Sequence, residues 1–444
     1  MRVWICAAGL ALIGAGPGIA EAVDRSPRPV HRAFDAPDTV GRASSSVLIS
    51  LRPSLRPDSV GSAPPAIDSY AENVRFQNWI GAFKQRAITQ GIRADVLERA
   101  FQGVSFDADV IRRDRTQSEF SKPIWEYLDS AASDERVANG RAALQQHRAT
   151  LDRIERRFGV DKEIVVAIWG MESAFGSFRG KNNVVRSLST LAFEGRRAAF
   201  FEAQLIAALR ILQSGDTTPE TMTGSWAGAM GHTQFMPTSY LDHAVDLTGD
   251  GRRDIWSDNP SDALASTAAY LKHFGWTKGQ PWGVEVRLPQ DFDYALAQRQ
   301  IKKNPGDWAR LGVRGVNGRA VSDHGKAAIL LPAGGHGAAF MVFDNFRVIE
   351  RYNAADAYVI GVGHLADRIA GGGPIQAAWP QGDRGLSFTE RTEMQQRLTA
   401  RGFPTAGVDG RIGPKTMAAV RAYQMANGLL PDGYASLGLL KRLR

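Results

Sequence analysis

The chain has 444 residues, of which 43% are hydrophobic and 23% charged, and its formal net charge is +8. This length allows two or three domains with a sizeable core, and the composition excludes a disordered or low-complexity chain. The basic balance disfavours basic partners. It suits nucleic acid, anionic lipid or an anionic polymer such as a bacterial cell wall.

The first 22 residues, "MRVWICAAGLALIGAGPGIAEA", have the pattern of a secretory signal peptide. A basic start at Arg2 precedes an apolar run too short to span a membrane, and small residues at Ala20 and Ala22 follow. The pattern predicts cleavage after Ala22, with an uncleaved anchor as the alternative. The single cysteine, Cys6, lies ahead of these small residues, so we do not expect a lipoprotein, and the mature chain would have no thiol. No later apolar run is long enough to cross a bilayer.

Composition divides the rest of the chain into four parts. Residues 23–67 are rich in Pro and Ser and predict a linker, whereas residues 68–375 carry mainly helical apolar spacing. The Gly/Pro-rich stretch around residues 376–384 predicts a second linker, and residues 385–444 predict a small separate domain.

Inside the large domain, the pattern changes from helical to alternating between Trp282 and Tyr352. The runs "WGVEVRLP", "AAILLPAG" and "AAFMVFDNFRVIERYN" predict strands of a small sheet, because short apolar alternation bounded by Gly and Pro is typical of strands. A final helix, "AYVIGVGHLADRIAGG", follows. The expected fold class is mainly α with a small β insertion.

One carboxylate lies in the apolar stripe of a helix. In "EIVVAIWGMESAFG", Glu172 shares a face with Val165, Ile168 and Trp169, and Asp161 is placed to cap the helix start. Burial disfavours the charged form of a carboxyl group, so we expect a raised pKa and a proton available near neutral pH. A general acid needs this property. The alternative is a structural Glu bonded at the helix end.

Four motifs resemble, in sequence and order, those of the soluble periplasmic relatives of membrane-bound lytic transglycosylase B. They are "AIWGMESAFG", "GSWAGAMGHTQFMPTSYLDHAVDLTGDGRRDIW", "DALASTAAYLKHFGW" and "VIERYNAADAY". The resemblance implies a lysozyme-like helical fold that cleaves peptidoglycan between N-acetylmuramic acid and N-acetylglucosamine in the periplasm. It also implies that Glu172 acts first as acid and then as base, giving a 1,6-anhydro product.

The same resemblance assigns a set of glycan-binding residues. In the glycine-rich motif, neutral amide and hydroxyl groups suit sugar hydroxyls, and aromatic rings pack on the apolar faces of sugars. His232 lies where the family varies and receives no role. The residues expected to line the cleft are Ser225, Gln234, Phe235, Tyr352, Asn353 and Tyr358, with Tyr127 and Tyr270 as further candidates whose alternative is a core position.

The loop "DLTGDGRRD" resembles the first half of a calcium-binding EF-hand loop. It offers oxygen ligands at Asp246, Thr248 and Asp250 and the carbonyl of Arg252, but its twelfth position is Ser257 rather than Glu. By resemblance, Asp262 would close the site. The alternative is an Asp-Gly turn with solvated carboxylates. Calcium would be structural here, and we expect the chemistry to require no cofactor.

The last segment resembles a three-helix peptidoglycan-binding module. Its turn "DGRIGPKT" is the characteristic feature, and Pro414 and Gly428 bracket a predicted helix. From Gly385 onward, nine basic residues face four acidic ones, a net charge of +5 that suits an anionic polymer.

The leading hypothesis is therefore a monomeric, exported lytic transglycosylase whose partner is the peptidoglycan glycan strand. One alternative is a muramidase that uses water, which needs a second carboxylate that no motif supplies. The other is a catalytically silent wall-binding protein. A nucleic-acid partner is not expected, since no segment combines basic runs with the aromatic pattern of a known reader.

Overall fold

The structure, a computed structural model, describes residues 69–116, 123–380 and 382–444. The predicted signal peptide and first linker lie outside these residues. Within them, no helix combines the length and the apolar character that crossing a membrane requires.

Most of the described chain is helical, as the apolar spacing predicts. The α-helices are α1 Ser69–Thr89, α2 Ala94–Ala100, α3 Ala108–Thr116, α4 Ile124–Ala131, α5 Asp134–Gln146, α6 Arg148–Phe158, α7 Lys162–Ser173, α8 Val184–Glu194, α9 Ala198–Ser214, α10 Pro237–His243, α11 Ser261–His273, α12 Pro305–Arg310, α13 Asp344–Tyr352, α14 Asp356–Ile369, α15 Phe388–Ala400, α16 Pro414–Ala426 and α17 Leu437–Leu443.

Two small antiparallel sheets accompany the helices. The strands are β1 Asn182–Asn183, β2 Thr223–Gly224, β3 Gly283–Arg287, β4 Arg314–Gly315, β5 Ala328–Leu330 and β6 Ala339–Val342. Strand β1 pairs with β2, and the second sheet has the order β4-β3-β6-β5. The β1–β2 pair joins the segment that follows α7 to the glycine-rich motif, so these two parts of the site are held together.

The prediction of strands is wrong for the second half of "AAFMVFDNFRVIERYN". Strand β6 ends at Val342, and α13 begins at Asp344. Phe346 and Ile349 are three residues apart and both are buried, so the helical period puts them on one face against the core. An acidic residue, Asp344, in the first turn also favours the helix.

Three hydrophobic cores organise the described chain. The largest cluster includes the buried faces of α1 to α11, α13 and α14, a second lies within the β insertion, and a third belongs to the C-terminal helices α15, α16 and α17. The small three-helix domain predicted from the sequence therefore has its own core, and α16 begins at Pro414 as expected. Its Asp432 carboxylate accepts a hydrogen bond from the amide of Gly335 at 2.8 Å, which ties the module to the insertion.

The predicted second linker contacts the large domain. The amides of Gln376 and Ala377 both donate to the Glu285 carboxylate of β3, and the Trp379 ring lies 6.1 Å from that of Trp125. These contacts fasten the stretch to both the insertion and α4.

Candidate active site

Helix α7 places Glu172 in the core of the domain. All ten residues from Ile164 to Ser173 are buried, and Glu172 is 8% exposed. Asp161 occupies the N-cap position, but its carboxylate makes no capping bond and instead accepts from the Trp276 indole at 2.8 Å. The apolar stripe read from the sequence is therefore a buried face, and the carboxyl group of Glu172 lies at its C-terminal end.

Two tyrosines predicted for the cleft flank this carboxylate. The hydroxyl of Tyr358, on α14, donates to Oε1 of Glu172 at 2.7 Å. Tyr127, on α4, is 4% exposed, and its hydroxyl has no hydrogen-bond partner among the described residues. Burial, and then the negative charge of Glu172, raise the pKa of Tyr127. The phenol of Tyr127 therefore stays neutral at physiological pH, and the hydroxyl of Tyr358 acts as a donor to Glu172.

The chain reverses sharply after the acid. Ala174, Phe175 and Gly176 follow one another with φ of 48°, 58° and 86°, all in the left-handed region. Two such residues that are not glycine are costly, so surrounding contacts must hold the turn. The Phe175 ring does so by packing over Gly170, where an added Cβ would lie 2.5 Å from it. This turn ends α7 directly beyond the carboxyl group of Glu172.

The glycine-rich motif forms a tight loop beside this turn. The hydroxyl of Ser225 accepts from the amide of Ala229 at 3.0 Å. Gln234 is buried with φ of 55°, and its side-chain amide donates to the carbonyls of Gly231 and Arg179 at 2.8 and 3.0 Å. The glycan-binding role assigned to these two side chains stays a prediction, and both stabilise the loop backbone.

Three of the predicted aromatic residues lie in the core. Phe235, Tyr270 and Tyr352 are each 0% exposed, and their rings pack on one another at 5.1 to 6.1 Å. The hydroxyl of Tyr270 donates to the Arg351 carbonyl, and that of Tyr352 to the Thr233 carbonyl. These rings therefore lie in the core, and the glycan-binding role assigned to them stays a prediction.

Asn353 carries an unused donor. The side chain is 1% exposed, and its Oδ1 accepts from the amide of Ala355 at 3.0 Å. Its Nδ2 is buried and has no hydrogen-bond partner among the described residues. Because a buried polar group without a partner is costly, this amide is suited to a ligand oxygen.

The other buried carboxylates of the described chain have evident structural partners. Arginines pair with most of them, and backbone amides hold the rest. The pairs are Asp114 with Arg196 and Arg197, Asp216 with Arg253, and both Glu350 and Asp356 with Arg299, while Asp262 and Asp432 accept from backbone amides. Glu172, by contrast, accepts from a tyrosine in the predicted cleft.

His232 is the residue that sequence reasoning missed. It is 3% exposed, its Nδ1 accepts from the Trp169 indole at 3.1 Å, and its backbone carbonyl accepts from the hydroxyl of Ser173 at 2.5 Å. An added Cβ on Gly176 would lie 2.6 Å from Nδ1. The sequence did carry a signal, because a histidine is an unusual residue in a motif of small glycines and alanines. Its partners are 59 and 63 residues away, so local spacing does not reveal them.

The acidic loop gathers three of the predicted metal ligands. Asp246, Asp250 and Asp262 each offer a carboxylate oxygen, and these oxygens lie within 4.8 Å of one another. Calcium binds oxygens at 2.3–2.6 Å, so ligands on opposite sides of one ion are about 5 Å apart and the three carboxylates fit it. The hydroxyl of Thr248 donates to Asp246 at 3.1 Å. Burial and the charge of Asp246 raise the pKa of Asp262, and a cation would relieve both effects.

Two family models match the chain. One, described as a transglycosylase SLT domain, matches residues 75–367, and the other, described as a putative peptidoglycan binding domain, matches residues 389–443. The chain belongs to the SLT transglycosylase family. This result confirms the resemblance found in the motifs and the mainly α, lysozyme-like fold with a small helical C-terminal domain.

Members of the family with known structures are similar over most of the chain. SltB3 from Pseudomonas aeruginosa, in complex with NAG-anhNAM-pentapeptide, is 52% identical with a TM-score of 0.81, covering 83% of this chain and 99% of that one. Slt35 from Escherichia coli, in complex with calcium, is 29% identical with a TM-score of 0.57, covering 68% and 94%.

A curated relative is the membrane-bound lytic murein transglycosylase B of Escherichia coli (strain K12). It is 33% identical over 254 residues, which is 55% of this chain. The chain spans 66% of that relative, just under two thirds of its length.

Proposed function

We propose that this chain is a lytic transglycosylase that cleaves the bond between N-acetylmuramic acid and N-acetylglucosamine in peptidoglycan. The observation that carries the proposal is the burial of Glu172 at the end of α7 with the Tyr358 hydroxyl on its Oε1. Burial favours the protonated form of this carboxyl group, so Glu172 is suited to hold a proton until a glycosidic oxygen reaches it, whereas the Tyr358 hydroxyl favours the carboxylate that remains afterwards.

In the proposed reaction, Glu172 serves twice. Its proton passes to the glycosidic oxygen as the bond from that oxygen to C1 of the muramic acid breaks. The resulting carboxylate then takes the proton of the C6 hydroxyl as O6 bonds to C1. A 1,6-anhydro sugar forms, the acid is restored, and no water is consumed.

The unpaired amide of Asn353 and the half-buried hydroxyl of Ser225 are suited to sugar oxygens, so we assign them to substrate binding. Tyr358 would stabilise the carboxylate form of Glu172 between the two proton transfers, since it donates to that oxygen. The relative in complex with NAG-anhNAM-pentapeptide supports the anhydro product for this chain.

The chemistry requires no cofactor in this proposal. A calcium ion held by Asp246, Asp250 and Asp262 would stabilise the loop between α10 and α11 and would take no part in bond cleavage. The matched peptidoglycan binding domain, residues 389–443, would hold the enzyme on the cell wall, and the N-terminal pattern supports export to the periplasm.

Mass spectrometry of the fragments released from purified peptidoglycan tests this function. We expect products lighter by one water than reducing-end fragments, and their release to fall at least about 10³-fold in Glu172→Gln, because the proton donor is lost. Glu163→Gln, at the start of the same helix, is the matched control and should keep the activity.

Two outcomes would contradict the proposal in different ways. Reducing-end sugars from the wild-type protein would identify a muramidase that uses water. No release from wild-type protein that still binds peptidoglycan would leave a wall-binding protein.

A further inference from the structure

We propose that His232 is a positioning residue that holds the end of α7, and with it the carboxyl group of Glu172, in the reactive position. The inference rests on the proposed role of Glu172 as the acid. It assigns no bond-making or bond-breaking step to the imidazole. The argument comes from the contacts that His232 makes with its ring and with its backbone.

The ring contacts fix one tautomer. The Trp169 indole can only donate, so Nδ1, 3.1 Å away, is an acceptor without a proton. The carbonyl of Ser257 can only accept, so Nε2, 2.7 Å away, carries the proton. Both nitrogens of a neutral ring are thus used, and the imidazole bridges α7 to the loop that precedes α11.

The backbone of His232 makes a second contact with α7. The hydroxyl of Ser173, the residue after Glu172, donates to the His232 carbonyl at 2.5 Å and accepts from the amide of Gly176 at 2.9 Å. One residue therefore holds α7 at Trp169, three positions before the acid, and at Ser173, directly after it. The carboxyl group lies between these two points, so its position depends on both.

The charges around the ring favour its neutral form. Arg179, whose Nη1 lies 3.2 Å from Nε2, is held by the carbonyls of Trp256 and Ser257 and by the Asp258 carboxylate. Burial, and then the charge of Arg179, lower the pKa of His232, while the Ser257 carbonyl and the carboxylates of Asp254 and Asp258 oppose the shift. From α7, the neutral Trp169 faces the ring, and the half-buried His147 packs on that indole at 5.4 Å.

Protonation would break this arrangement. A proton on Nδ1 removes the acceptor for Trp169 and places a second positive charge beside Arg179. A pocket of about 500 Å³, lined in part by Trp169, Arg179 and His232, gives solvent access to the ring. Because the pKa of His232 is lowered in the folded protein, its neutral ring forms the hydrogen bond with Trp169 fully above the unfolded-state pKa of about 6.5. The bond is lost as the pH falls through the folded-state pKa.

The decisive experiment separates positioning from folding. A soluble oligosaccharide of alternating N-acetylglucosamine and N-acetylmuramic acid serves as substrate, and kcat, KM and Tm are measured for His232→Leu, Trp169→Phe and the double variant. We expect each single variant to lower kcat by about 10- to 100-fold with little change in KM, because a small displacement of the acid affects the transition state. The double variant should be no slower than His232→Leu, since both changes delete the same bond.

Trp308→Phe is the matched control. Trp308 is also a fully buried tryptophan, and its indole donates to the Ala327 carbonyl at 2.8 Å in the β insertion, whose hydrophobic core is separate from that of α7. It should lower Tm without lowering kcat. In addition, the fall in wild-type kcat at low pH that protonation of His232 causes should be absent from His232→Leu. Loss of folded protein would instead lower kcat at every pH.

A measurement independent of turnover examines the tautomer. In ¹⁵N-labelled protein at neutral pH, Nδ1 of His232 should resonate as an unprotonated nitrogen and Nε2 as a protonated one. A proton on Nδ1, an unchanged kcat in His232→Leu, or an equal kcat loss in Trp308→Phe would overturn the proposal. Absence of an anhydro product from the wild-type protein would overturn the proposed function itself, whereas the variants test only the role of His232.

Discussion

The end of α7 and the acidic loop at residues 246–254 both carry carboxylates, but different parts of the chain hold them. Glu172 accepts from Tyr358, 186 residues away, and the next residue, Ser173, donates to His232, 59 residues away. In the loop, Asp246 accepts from the amides of Gly249 and Gly251, three and five residues away.

This difference explains why one carboxylate is suited to catalysis and the other to a metal ion. Long-range contacts bury Glu172 and fix the donor on it, whereas local turns leave Asp246 and Asp250 partly or fully in solvent. Backbone amides on Asp246 lower its pKa, so it stays charged and available to a cation. The same functional group thus acquires different properties from its packing.

The largest effect that would test this contrast comes from two glycines with almost the same backbone. Gly176 and Gly251 have φ of 86° and 87°. An added Cβ on Gly176 would lie 2.6 Å from His232, whereas on Gly251 it meets nothing within 4 Å. We expect Gly176→Ala to lower the free energy of unfolding by about 3 kcal/mol, from conformational strain plus overpacking, and Gly251→Ala by about 1 kcal/mol.

Chemical denaturation of the two variants beside the wild type measures this difference. Gly176→Ala should also lower kcat, because the turn beyond Glu172 must move. Equal destabilisation by both substitutions would mean that the contact with His232 contributes nothing.

A smaller effect is expected from the hydroxyl groups of two buried tyrosines. Tyr358→Phe removes the donor on Glu172 and should lower kcat by about 100-fold, as expected for one preorganised donor in a buried site. Tyr240→Phe removes a hydrogen bond of 2.5 Å to the carbonyl of Arg253 in the acidic loop and should affect stability only.

Steady-state rates on the soluble oligosaccharide, with Tm measured for both proteins, test this pair. A rate loss of similar size in Tyr240→Phe would contradict the separation of the two regions. An unchanged rate in Tyr358→Phe would remove that hydroxyl from the proposed mechanism.

The smallest effect concerns calcium and belongs to the loop alone. At ten times its Kd, bound Ca²⁺ should raise the free energy of unfolding by about 1.4 kcal/mol, because it binds the folded loop and not the unfolded chain. Thermal unfolding with and without a chelator measures this shift, and Asp250→Asn should reduce it by weakening the site. Mg²⁺ should have a smaller effect, and kcat should not change. A chelator-dependent loss of kcat at a temperature where the protein stays folded would show that the two regions are coupled.

Several features of the site could be predicted from the sequence because they depend on local pattern. The apolar spacing from Val165 to Trp169 identified the buried face that carries Glu172, and alternation located β3, β5 and β6. The same pattern gave a wrong prediction over α13, because the apolar residues of this short run fit both the helical and the strand period. Packing of Phe346 and Ile349 against the core favours the helix.

The aromatic residues mark the limit of this approach. Motif resemblance assigned Phe235, Tyr270, Tyr352 and Tyr358 one role, but the Tyr358 hydroxyl donates to Glu172, whereas the rings of the other three pack on one another. A sequence motif records which residue types occur, not which partner each ring or hydroxyl meets. Those partners depend on the packing of helices that are remote in sequence.

Local sequence pattern specifies the helical class, the placement of one carboxyl group in an apolar stripe, the acidic turn and the separate C-terminal segment. Each depends on residues within a few positions of one another, where spacing and backbone preference dominate. Tertiary structure decided which hydroxyl donates to Glu172, that Asn353 keeps an unused amide, and that His232 holds both Trp169 and Ser173. Those outcomes require segments far apart in sequence to meet in a close-packed core, where small differences in shape decide the partners.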